Sequence, residues 1–489
     1  MIPSPSILRH VTLATALACG SCMANEPAHA PAVSPAPKAV SPSPAPIGLT
    51  PLVQPSPTAI DSTAGEISPT PWVQQSSAAI ESKVIQWRRH IHQHPELGNL
   101  EVSTAAYVAQ HLEKFGLQVQ TGIAGTGVVA VLQGALPGPT VGLRADMDAL
   151  PVKETPGLPF ASKDKGTYFG KSVDVMHACG HDTHTAMLLG AASVMAQNRD
   201  KLPGKVVFIF QPAEEGAANI DVFDPKAPSW GAKRMVEEGV IEKFGIQSVF
   251  SVHVMSNARA GEIQYKVGAA LNSADGFRIK LVGKQAHGAM PWTGADPIVV
   301  SANVINALQT LVSRRADLSQ GMGVVTVGSI HGGTAGNIVT GDVTLEGTIR
   351  ANSPAIRDTL TSQLPNLVTK TAEAQHVTAQ VDVARIMPVT MNDAKLTHAM
   401  VPALQRASGG KATETLVNQA ASEDFSYFSE KVPGLYVFLG ATPANKDPAT
   451  AASNHNPGFF VDESTLITGV RSHVEFVLGY ALYAKDAGQ

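Results

Sequence analysis

The sequence predicts an α/β protein in which a larger domain on a mixed sheet is interrupted by a smaller, ferredoxin-like α+β domain. Three observations predict it. Between about residues 76 and 268, apolar runs of strand length alternate with longer segments of helical spacing. From residue 269 the rhythm changes to β-α-β-β-α-β, and from residue 388 the earlier alternation returns. Polar clusters stand just past several strand ends, where open α/β sheets place their sites.

The elements follow in chain order. Residues 1–30 read as an export signal: Arg9 and His10 lead into the apolar run "VTLATALAC", and "AHA" at Ala28 to Ala30 fits a small-residue cleavage site. That placement is periplasmic or secreted; Cys19 or Cys22 as a lipidated residue is the alternative. Residues 31–75, rich in Pro, Ala and Ser, read as a tether without a fold. Ordered chain is expected from residue 76, where Ile80, Val84, Trp87 and Ile91 fall on one helical face and Pro95 ends it. "GVVAVLQG", "TVGLRADMDAL" and "KVVFIFQPAEEG" read as strands, and a helix is expected from near His184. The inserted domain spans 269–387, and "GLYVFLG" is a buried strand of the returning part, 388–489.

Charge narrows the partners. Lys and Arg number 36 against 40 Asp and Glu, a formal charge of -4 with no basic run, so neither nucleic acid nor an anionic membrane is indicated. The apolar run near the N-terminus is too short to span a bilayer. A small molecule or peptide becomes the expected partner. With the signal removed, Cys179 is the only cysteine. No intramolecular disulfide is then available to it, although an exported chain meets an oxidising compartment.

Cys179 and His181 stand two apart in "HACGHD", a spacing that lets a thiolate and an imidazole converge on one ion such as zinc. A small buried cysteine beside helix-capping Asp182 and Thr183 fits the same residues. In "FQPAEEG" two adjacent carboxylates, Glu214 and Glu215, follow a buried strand. Their repulsion and desolvation would be offset by a cation, with one side chain binding it and the other facing the reaction space. A solvated Glu-Glu turn is the bland alternative. His253 ends the apolar strand "VFSVHV", and His455 lies in the turn "SNHNPG"; either alone reads as a core or loop histidine. Together with Cys179, His181 and Glu215 they could fill two tetrahedral sites with a shared ligand.

"RRHIHQHPELGNLE", "LRADMDALP", "MHACGHDTHTAMLLGAA", "QPAEEG", "KQAHGAMP", "GGTAGNIVTGDVTLEGTIR", "SEDFSYF" and "NHNPGFFVDE", in this order, resemble the amidohydrolase branch of the aminoacylase/carboxypeptidase family of two-metal exopeptidases. The branch includes hippurate hydrolases, N-acyl-amino-acid amidohydrolases and hydrolases of auxin conjugates. The resemblance covers roughly residues 78 to 485. It implies a zinc-exopeptidase-like catalytic domain with an inserted lid and dimerisation domain. It also implies Cys179, His181, Glu215, His253 and His455 as ligands of two divalent ions, zinc with manganese, cobalt or nickel as alternatives. Cys179 would be shared between the ions, and Glu214 would be the general base for hydrolysis of N-acyl amino acids.

The same resemblance gives His287 a role at a carbonyl or in substrate binding, often in a partner subunit's site, and Asn337 a substrate contact. It makes Asp146, Asp148, Asp182, Glu423 and Asp424 residues that orient ligands. Homodimerisation is expected through the inserted domain, with "GVVTVGSI" as the pairing edge. Gln285, Ala286, Thr183 and Trp292 depart from the family pattern and leave the substrate pocket open. A dipeptidase or carboxypeptidase on the same scaffold, or a non-catalytic metal-binding or solute-binding protein, are the alternatives. The histidines of "RRHIHQHPE" read as structural.

Overall fold

A computed structural model describes residues 70–155, 157–417 and 419–488. The expected signal, Cys19, Cys22 and all but the end of the expected tether lie outside the described residues. The first helix is Pro71–Gln93, starting before residue 76 because Pro71, with its φ already fixed, suits a helix's first turn. Ile80, Val84, Trp87 and Ile91 are buried on one face as their spacing predicts.

Eight strands form the main sheet, in the order Gln118–Ile123, Gly127–Gln133, Pro203–Gln211, Leu136–Asp146, Ser248–Arg259, Gly434–Thr442, Ile263–Tyr265, Ala412–Glu414. Its four central strands, 203–211, 136–146, 248–259 and 434–442, run parallel, and antiparallel pairings flank them. Alternation along a strand explains the two cores. Val206, Phe208 and Phe210 point into one, with Val84, Leu188 and Val470 of the helices Pro71–Gln93, His181–Gln197 and Leu466–Asp486. Val207 and Ile209 point into the other, with Met235 of the helix Gly231–Glu237 and Phe244 of Val240–Phe244. Helix burial on both faces is why these strands read as continuous apolar runs.

A second sheet orders its strands Gly323–Gly332, Asp342–Ala351, Ala274–Val282, Thr378–Met387, all antiparallel. The helices Pro297–Thr310 and Pro354–Glu373 cover one face, closing a core around Phe277, Ile279, Leu345 and Leu360. This is the ferredoxin-like pattern, its first and third strands central. The chain enters and leaves through an antiparallel pair, Gly268–Leu271 with Thr390–Asn392. No described helix is long and apolar enough to cross a membrane.

Two local expectations change. The helix expected near His184 begins at His181, so His181 is its first residue and Gly180 its cap. His253 lies inside the strand Ser248–Arg259, which continues past the apolar run that suggested its end.

Candidate metal centre and active site

Gly180 shapes the approach to the site. Its φ is 95°, and a Cβ there would stand 2.3 Å from a Val254 methyl, so only glycine lets the chain turn from Cys179 into the helix. Cys179 Sγ then lies 3.3 Å from Nε2 of His253 and 3.3 Å from Nε2 of His455. His455 is held by its own amide, which donates to the carbonyl of Ala178 at 2.8 Å. Asn454 Nδ2 donates to the carbonyls of Cys179 and Val254, at 3.1 and 3.0 Å, tying the segments of Cys179 and His253 together. Sequence reading passed over Asn454, which sits in the quoted motif beside His455.

Glu214 and Glu215 occupy a turn after the strand Pro203–Gln211, not the strand itself. They diverge because the turn bends, with Ala213 at φ 50° and Gly216 at φ 101°. Glu215 Oε1 reaches 2.8 Å from His455 Nε2, while Glu214 Oε2 stands 3.9 Å from His181 Nε2. Asp148 accepts from the amides of Glu214 and Glu215 at 3.0 and 2.9 Å and faces His181 Nδ1 at 3.2 Å. One carboxylate thus orients both a turn and an imidazole.

The donors converge in two clusters that share Cys179: Cys179, His181 and His253 in one, Cys179, Glu215 and His455 in the other. In each, the candidate ligand atoms lie within 4.8 Å of one another. Two ligands on one tetrahedral zinc, at ordinary Zn–S and Zn–N lengths, stand about 3.5 Å apart, close to the sulfur–nitrogen separations here. His181 Nε2 is buried without a hydrogen-bond partner, which a cation would supply. The residues fit a pair of ions.

Charges around the clusters are buried and answered. Arg144 donates to Gln211, Asp146, Glu423 and Asp424 at 2.9, 2.6, 2.8 and 3.1 Å. Tyr436 donates its hydroxyl to Glu423 at 2.6 Å. His184 Nε2 accepts the amide of Val254, so Nδ1 carries the proton and donates to Asp146 at 2.6 Å. This uses both ring nitrogens and leaves His184 no lone pair for a metal. Burial alone would raise Asp146, but Arg144, His181 and His184 hold it well below the usual carboxylate range. Glu214 goes the other way: burial first, then Glu423, Glu215 and Asp424, push it well above that range.

Asp182 accepts from Arg88 Nε at 2.7 Å and is 2.8 Å from His92 Nδ1, and His92 Nε2 meets Glu154 at 3.0 Å. The segment "RRHIHQHPE" is structural, as its sequence reads, and it reaches the site: its buried face, Arg88 and His92, braces the residue after His181.

A cavity of about 440 Å³ opens over the clusters. Cys179, Glu214, Glu215, His253 and His455 line one side; Met255, Leu271, Met387 and Phe438 make an apolar wall, with Arg350 at the second sheet. His287 and Asn337 are not among its lining residues. They sit together on an exposed ribbon, Ala286–His287 paired with Ile338–Val339.

A family profile described as Peptidase family M20/M25/M40 matches residues 142–479. Thermostable carboxypeptidase 2 of Saccharolobus solfataricus is 37% identical over 81% of this chain and 95% of its own. The N-acetyl-L-cysteine deacetylase of Bacillus subtilis is 36% identical over 79% of this chain and 85% of its own. Among solved structures, the Bacillus subtilis YXEP protein, described as a dinuclear metal binding peptidase from the M20 family, is 29% identical with a TM-score of 0.67, covering 83% of this chain and 99% of that one. Matched by one profile through both parts of the main sheet and the sheet between them, the chain belongs to peptidase family M20/M25/M40 and is a hydrolase of amide bonds.

Proposed function

We propose that the protein hydrolyses the amide bond of N-acyl amino acids, releasing a carboxylic acid and a free amino acid. One observation carries the reading: Glu214 faces the cavity beside two donor clusters that share Cys179, and Arg350 stands in the same cavity. Arg350 is half-buried, and its side chain's only hydrogen bond among the described residues is to the carbonyl of Ile349 at 3.1 Å. A guanidinium so placed suits a substrate carboxylate. The wall of Met255, Leu271, Met387 and Phe438 suits an apolar acyl group or side chain.

Two divalent ions, zinc first and manganese, cobalt or nickel as alternatives, would be held by Cys179, His181, His253, Glu215 and His455 and would lower the pKa of the attacking water and polarise the carbonyl. Glu214 takes the water's proton during attack and delivers it to the leaving nitrogen. Its buried surroundings hold it near the reacting atoms and away from bulk water. The exposed ribbon with His287 and Asn337 would act from a second copy, paired through the edge strand Gly323–Gly332, whose Val324 and Ile330 stand exposed.

The carboxypeptidase relative keeps a peptide substrate as the second reading. Protein stripped of metal and reloaded with zinc or manganese would be offered N-acetyl, N-benzoyl and indole-acyl amino acids and dipeptides, with free amino acid measured. Faster turnover of the acyl conjugates is expected; faster turnover of peptides selects the second reading. Glu214→Gln should keep its metal and lose about 10³-fold in kcat. Arg350→Gln should raise KM for free-acid substrates but not for their methyl esters.

A further inference from the structure

Three successive amides of the turn that carries Glu214 are received by two buried carboxylates. Glu214 and Glu215 donate to Asp148, and Ala213 donates to Oε1 of Glu101 at 2.8 Å. Glu101 is fully buried and does not line the cavity. Its other oxygen accepts the hydroxyl of Thr126 at 2.5 Å, which fixes its rotamer. The grip matters because Ala213 is held at φ 50°, a conformation that a non-glycine residue leaves unless the surroundings impose it.

Gly98, three residues earlier, lies under the same turn. A Cβ there would stand 2.1 Å from the carbonyl oxygen of Gly216 and 3.2 Å from Cα of Ala213, and its own carbonyl accepts the amide of Ala218 at 3.2 Å. Glu96 does a different job: it accepts from the amides of Ser103 and Thr104, capping the start of the helix Val102–Lys114.

We infer that Gly98 and Glu101 of "ELGNLE" form a cradle that aims the catalytic turn, with Glu101 a positioning residue for Glu214. The inference rests on the reading of Glu214 as the base. Glu101 reaches no reacting atom; it acts by fixing Ala213, and through it the direction of the next side chain. A glutamine keeps an oxygen for Ala213 and can donate to Thr126. A leucine offers neither, and an aspartate, one methylene shorter, falls short of Ala213.

The test compares wild type, Glu214→Gln, Glu101→Leu, Glu101→Asp, Glu101→Gln and Glu96→Gln on the fastest N-acyl amino acid of the panel above. It records kcat, KM, metal per chain and deuterium uptake of the peptide 211–216. Glu101→Leu and Glu101→Asp should lose about 100-fold in kcat, as a misplaced group does, with KM and metal within about two-fold and faster exchange in that peptide. Glu101→Gln should recover to within about five-fold of wild type, and Glu96→Gln should keep full kcat. If Glu101→Leu does not fold, Glu101→Asp decides. Retained kcat in the disrupting variants, loss in step with metal content, or a Gln variant as poor as Leu would each overturn the cradle. An active Glu214→Gln would instead remove the base reading beneath it.

Discussion

The surroundings of Cys179 and the ribbon of His287 carry chemically similar residues in opposite physical states. Around Cys179, Arg144, Asp146, Asp182, His184 and Glu423 are all buried and each is met by a partner of fitting charge or hydrogen-bonding character. On the ribbon, His287 and Asn337 are exposed, and Met290 and Trp292 beside them are 45% and 77% exposed. The first region is preorganised by its own chain. The second stands open to solvent, so damage to the two should separate stability from activity.

The largest break in this contrast is removal of divalent ions. A chelator should abolish amide hydrolysis by at least about 10³-fold and lower the melting temperature, because the clustered donors of Cys179, Glu215 and His455 lose the charge that joins them. Readdition of zinc or manganese with calorimetry checks both.

Next is Arg144→Met, which leaves Asp146, Glu423 and Asp424 without their buried cation. A loss of about 3–5 kcal/mol in urea unfolding is expected. Arg278, partly exposed and paired with Glu346 and Asp221, is the contrast: Arg278→Met should stay within about 1 kcal/mol.

Acid gives a smaller, graded effect. His473, buried against Phe250, has no partner for Nδ1, and burial lowers its pKa to about 3. The unfolded chain therefore takes up this proton first as pH falls. The stability it contributes is complete above pH 6.5 and is lost progressively toward pH 3. About 2 kcal/mol should go between pH 6.5 and pH 5, and His473→Leu should flatten that slope in calorimetric scans. The smallest change is on the ribbon: His287→Ala should move unfolding by no more than about 0.5 kcal/mol while kcat falls. An equal fall in stability would place His287 in the fold rather than at a substrate.

Periodicity made most of the fold legible. "VVFIF" announces a strand buried on both faces because Phe208 and Ile209 alternate into two separate cores. The β-α-β-β-α-β rhythm announces the second sheet for the same reason. Start points were harder: Pro71 sits in a proline-rich stretch, so the tether's composition hid the helix it begins. In the site, a thiolate and an imidazole that could meet on one ion were readable from the spacing of Cys179 and His181. Asn454, Arg144 and His92 were not, because a residue that holds another in place carries no spacing signal when its partner is far away in sequence.

The sequence by itself determined the element types and the two-sheet plan, since hydrophobic period is a local property, and it offered Cys179, His181, Glu214, Glu215, His253 and His455 as a candidate chemical set. Tertiary structure decided which donors meet, why Glu214 stays above the usual carboxylate range and Asp146 below it, and that His287 is not among the residues lining its own chain's cavity. Those outcomes depend on burial and on charges brought together across hundreds of residues, as Arg144 and Glu423 are, and no local pattern encodes them.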